Sequence, residues 1–171
     1  MQIIMAGFLW GILSTPFIVS STEITTQLKS RDTLSKKNSY IMINFTEKEN
    51  VNRWRITNDG VMGGRSSGRF FIEQGQAYFL GNISLDNNGG FSSVFREIDP
   101  LPEDLETVTI DIQGDGLTYQ LRMIVSFKGY RLAYKHQVNT VVGKIEKLTF
   151  TLADFQASFR ERMIANAPVL K

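Results

Sequence analysis

Cysteine is absent from the 171 residues. That excludes a disulfide framework, thiolate zinc sites and cysteine nucleophiles, and it leaves the compartment open. Histidine occurs once, as His136 in Tyr134-Lys135-His136-Gln137. A histidine metal centre or a serine triad would have no second imidazole to draw on, so His136 is read as an outward-facing strand residue. Proline is scarce, at four residues. Helical periodicity is nearly absent, and strands do not alternate with helices, which excludes a Rossmann architecture. Neither GxxxxGK[ST] nor GxGxxG occurs. The glycine-rich run Gly60-Val61-Met62-Gly63-Gly64 leads into a strand pattern, so it has no helix N-terminus with which to hold a phosphate.

Excess charge is also lacking. The formal net charge is +2. Residues 1–22 carry no charged side chain. Residues 23–40 hold Lys29, Arg31, Lys36 and Lys37 against Glu23 and Asp32, and the remainder balances. A nucleic-acid binder needs a basic face that this distribution does not supply.

What is present is apolar and glycine-rich. Hydrophobic residues make up 42% and aromatic residues 11%, enough for the core of one domain. Residues 3–19 are almost wholly apolar, and Val19-Ser20-Ser21 offers small residues for cleavage. Residues 1–21 are therefore read as a signal peptide or apolar anchor. A cleaved signal implies an exported protein, periplasmic or envelope-associated. Without it the chain is cytoplasmic, and it meets a membrane only through this segment if uncleaved. Residues 22–39, rich in Ser, Thr, Lys and Asn, read as a linker. Residues 40–171 read as the folded domain.

That domain opens with a short strand at Ile41 to Phe45. A helix-start signal follows, with Thr46 at the cap and Glu49 three residues later, which predicts one helical turn before Trp54. Period-two patterning then marks Gly68–Glu73, Gln76–Leu85, Phe91–Ile98, Thr107–Gln113, Tyr119–Phe127, Tyr130–Val138 and Leu148–Leu152. Gln74-Gly75, Gly114-Asp115-Gly116 and Lys128-Gly129 read as turns. The tail beyond Phe155 is poorly patterned. About eight or nine short strands with frequent turns specify an all-β, antiparallel β-sandwich.

Two glycine-rich segments flank the first hairpin, Asn58-Asp59-Gly60-Val61-Met62-Gly63-Gly64-Arg65-Ser66 and Asn87-Asn88-Gly89-Gly90-Phe91-Ser92-Ser93. Function on a sandwich concentrates in loops held by rigid strands, so the candidate binding surface is Asn58, Asp59, Met62, Arg65, Asn88 and Phe91. The bland alternative is that the glycines simply let two loops pack. Asp59, Asp86 and Asp115 could pair as glycosidase carboxylates, but Asp beside Gly is first a turn signature. Asn58 and Asp59 could offer oxygens to calcium, without EF-hand spacing. Trp54, Tyr78, Tyr119, Tyr130 and Tyr134 could form an aromatic face for sugar rings, against core packing as the plainer role for Trp54. No catalytic residue, metal ligand or cofactor is assigned.

The run Trp54 to Ser66 closely resembles the signature of the complex I intermediate-associated protein 30 family. Ala77 to Leu85 leading into Asn88-Gly89-Gly90-Phe91-Ser92-Ser93 does so too, as does Gly114-Asp115-Gly116-Leu117-Thr118-Tyr119-Gln120-Leu121-Arg122. The resemblance covers about residues 41–160. It implies a galactose-binding-domain-like jelly roll and a non-enzymatic, chaperone-like role with protein partners, intermediates of respiratory NADH:ubiquinone oxidoreductase. A carbohydrate-binding module of the cell envelope, with a glycan partner, is the alternative. The family pattern continues past Phe159-Arg160 with two more strands, so the domain is expected to lack its last strands.

Overall fold

The structure is a computed structural model that describes residues 2–8, 17–25, 39–45, 51–159 and 162–170. Two antiparallel sheets face each other across one hydrophobic core. The larger contains β1 (Gln2–Phe8), β4 (Arg55–Asn58), β7 (Phe91–Glu97), β9 (Thr118–Phe127), β10 (Tyr130–Asn139), β12 (Gln156–Phe159) and β13 (Arg162–Met163). Their order is β13-β12-β10-β9-β1-β7-β4. The smaller contains β2 (Phe17–Thr25), β3 (Ser39–Asn44), β5 (Ser67–Glu73), β6 (Gln76–Asn82), β8 (Thr107–Gln113) and β11 (Ile145–Thr151). There the order is β11-β8-β2-β6-β5, and β3 also pairs with β2. This is the antiparallel β-sandwich that the alternation specifies.

The alternating residues supply the core. Val108, Ile110 and Ile112 of β8 are buried, as are Tyr119, Leu121 and Met123 of β9 and Ala77 and Phe79 of β6. Each large aliphatic side chain so buried contributes about 1.5–3 kcal/mol before the cost of ordering it. Two hairpins close on turns whose central residues both have positive φ, Gln74-Gly75 and Lys128-Gly129. That geometry matches the twist of the flanking strands, and glycine adopts its second position without steric cost. Trp54 belongs to the core margin, its ring 4.7 Å from that of Phe70 and 5.7 Å from that of Phe45.

Several elements differ from the sequence reading. Gln2–Phe8 and Phe17–Thr25, both within or overlapping the apolar N-terminal segment, lie inside the sheets. β1 pairs along its length with both β7 and β9. β2 pairs with β8, with β6 through Phe17–Val19, and with β3 through Ser21–Thr25. Most of the linker reading, residues 26–38, lies outside the described residues, as do Thr46 and Glu49; a single 3-10 turn at Val51–Arg53 precedes Trp54.

β4, β12 and β13 carry four, four and two residues, too few for period two to register. The unpatterned tail is docked all the same: Leu170 is buried, and the Tyr134 hydroxyl donates to the Pro168 carbonyl at 2.6 Å. His136 is not an outward residue. Alternation along β10 puts it with Leu132, Tyr134 and Val138, and its ring is half-buried, 4.6 Å from that of Phe150 and 5.4 Å from that of Phe155. Among the described residues, no helix is long and apolar enough to cross a membrane.

Candidate binding loops

The two glycine-rich segments meet at one end of the β5–β6 hairpin. Asn58 ends β4, Asp59–Met62 makes one 3-10 turn, and Ser67 begins β5. On the other side Asp86–Asn88 makes a second short turn before Phe91 begins β7. β4 and β7 are hydrogen-bonded neighbours, with Asn58 opposite Ser92. The strands therefore bring the loops together.

Asp59 joins them. It is fully buried, and its carboxylate accepts four hydrogen bonds. Two come from Ser66, the backbone N–H at 2.8 Å and the hydroxyl. Two come from the second loop, the N–H groups of Gly90 at 2.6 Å and Phe91 at 3.3 Å. The Ser66 oxygen in turn accepts the Ser84 N–H at 3.0 Å. Burial raises the carboxyl pKa, and the hydrogen bonds from the Ser66 hydroxyl and from the Gly90, Ser66 and Phe91 backbones outweigh it, so the group is held below the ordinary aspartate range.

Glycine is needed where this carboxylate sits. A Cβ on Gly64 would collide with Asp59 Cγ, and one on Gly89 would lie 2.5 Å from Asp59 Oδ2 and 2.8 Å from the Ser84 carbonyl oxygen. Further ties are Asn87 Nδ2 to the Gly63 carbonyl at 3.0 Å and the Ser92 hydroxyl to Asn58 Oδ1 at 2.7 Å. An exposed Arg65–Asp86 pair at 3.7 Å adds little, as surface pairs do.

All six sequence-selected residues thus fall on one loop pair, but they divide into two kinds. Asp59 is interior, and Asn58 and Phe91 are half-buried and hydrogen-bonded within the fold. Met62, Arg65 and Asn88 are exposed. Sequence reasoning passed over Val61 and Leu85, which stand 79% and 58% exposed beside Met62 at 64%. Isolated apolar residues in polar loops carry no periodic signal that could have marked them. It also missed Ser66, whose link to Asp59 spans seven residues with no pattern between them.

The other candidates resolve into structural roles. Asp115 accepts the Leu117 N–H at 3.0 Å within its turn. Tyr119 and Tyr134 are buried. Burial, then the Asp115 charge and hydrogen bond, push the Tyr119 hydroxyl pKa up, and burial raises that of Tyr134. Tyr78 stacks on Phe71 at 4.9 Å, so only Tyr130 of the four tyrosines stands well exposed, at 60%. Among the described residues, no group of three or more His, Asp or Glu is placed to hold a metal ion.

An antiparallel sandwich with a carboxylate-braced loop pair is thus the class of protein at hand. The family model described as Complex I intermediate-associated protein 30 (CIA30) matches residues 43–171, and the chain belongs to that family. No curated protein and no solved structure matches it.

Proposed function

We propose that this chain is a non-enzymatic, chaperone-like protein-binding module that acts on assembly intermediates of respiratory complex I. Family membership supports an assembly-factor-like role. The observation that carries the binding surface is the exposure of Val61 and Met62 on a loop held by the buried Asp59 carboxylate. A braced loop presents apolar side chains without a large ordering cost on binding, and exposed apolar side chains are what a protein partner covers. Asn58, Asp59 and Phe91 hold the surface in shape. Met62, Arg65 and Asn88, with Val61 and Leu85, make the contact. Export follows where residues 1–21 serve as a signal, and a cytoplasmic role where they do not.

The test is affinity capture from native membranes with the full chain, followed by identification of complex I subunits. A Met62→Glu, Arg65→Ala double variant changes only exposed side chains, so its stability should stay within about 0.5 kcal/mol of the parent. Capture by the parent and loss in the variant is the expected result. No complex I subunits above control, or equal capture by the variant, would sink the proposal.

A further inference from the structure

The outer face of the larger sheet carries a second constellation, away from the glycine loops. Registry sets it. Gln137 of β10 lies directly opposite Gln120 of β9, and Lys135 opposite Gln156 of β12. Opposed residues in an antiparallel pair share a face, as do residues two apart on one strand. Three side-chain amides and an ammonium group therefore stand side by side on three adjacent strands. With Asp154 they line an open cleft of about 480 Å³, within the usual size range of small-molecule sites.

One of these groups is oriented by a neighbour. Arg122 Nε donates to Gln120 Oε1 at 2.9 Å, which leaves the amide –NH2 of Gln120 as the end available to a ligand. The side-chain amides of Gln137 and Gln156 have no hydrogen-bond partner among the described residues.

The geometry points to this cleft as a binding site for a neutral saccharide, recognised by the amides of Gln120, Gln137 and Gln156 together with Asp154. The amides of Gln137 and Gln156 each offer both a donor and an acceptor, Gln120 offers its –NH2, and each sugar hydroxyl both donates and accepts, so neighbouring hydroxyls match neighbouring amides. Lys135 and Arg122, opposite each other on β10 and β9, stand against the one carboxylate of Asp154, so it is the amides rather than a charge balance that select a sugar here. Binding runs through hydrogen bonds rather than ring stacking, because Tyr119 and Tyr134 are buried in the core. The proposal goes beyond the assembly role and does not depend on it.

The experiment is a titration of the 15N-labelled full chain, reading the side-chain amide signals of Gln120, Gln137 and Gln156. The probes are glucose, galactose, mannose and their disaccharides, with glycine and inorganic phosphate as charged comparators. Saturable shifts with at least one saccharide are expected. Gln137→Ala and Gln156→Ala should each weaken that binding about three- to tenfold, the loss of one net hydrogen bond. Both positions are exposed, so the variants should melt with the parent. The proposal is overturned if no saccharide saturates the signals, if glycine or phosphate binds in place of sugar, or if both variants keep full affinity.

Discussion

The carboxylate of Asp59 accepts the backbone N–H of Gly90 at 2.6 Å, across 31 residues of sequence. One buried side chain thereby fixes the spacing of two loops that the sheet only brings near each other. It does so as an anion, because four donors converge on it.

Protonating or neutralising that group should loosen the loops. Its folded pKa lies below the unfolded value, which is about 3.9 for an ordinary aspartate. The stability it contributes is therefore full above the unfolded value and is lost as pH falls below about 4 through the folded pKa. Asp59→Asn should melt below the parent at pH 7, and the gap between the two should narrow as pH drops below about 4. Thermal unfolding at stepped pH measures this; a gap that stays constant would show that the charge contributes nothing.

Glycine should be required only where the carboxylate crowds the backbone. Gly64→Ala places a methyl group against Asp59 and should cost about 1–3 kcal/mol, as overpacking does. Gly60→Ala meets nothing within 4 Å and should stay within about 0.5 kcal/mol of the parent. Urea denaturation of the two variants side by side decides the point. Equal effects would mean that these glycines answer to something other than close approach.

Proline in β1 tests the role of the N-terminal segment. Met5 pairs with Val94 on one side and Leu121 on the other. Met5→Pro removes a ladder donor from the middle of the larger sheet and should lower the melting temperature of a chain that keeps this segment. Thermal melting combined with intact mass reads both quantities. A mature protein that has lost residues 1–21 and melts like the parent would assign the segment to export instead.

The sandwich was legible in the sequence because each long strand buries one face. Val108, Ile110 and Ile112 show that period directly, and so do Tyr119, Leu121 and Met123. His136 shows where the signal stops. Its polarity suggests solvent, but parity along β10 turns it onto Phe150 and Phe155. Short strands such as β4 and β12 left no readable period.

Of the glycine loops, the sequence by itself determined the residue types: glycines, an Asn-Asp-Gly turn and a set of polar neighbours. It could not sort them into interior and surface. Only the tertiary structure did that, by pairing β4 with β7 and bringing the Gly90 and Phe91 N–H groups onto Asp59. The same holds for the apolar N-terminal segment, whose composition suits an export signal and a sheet strand alike. Its placement between β7 and β9 rests on long-range backbone hydrogen bonds. The physical reason is common to both cases. Periodicity reports on one strand at a time, whereas burial of a carboxylate or insertion of a strand depends on partners many residues away.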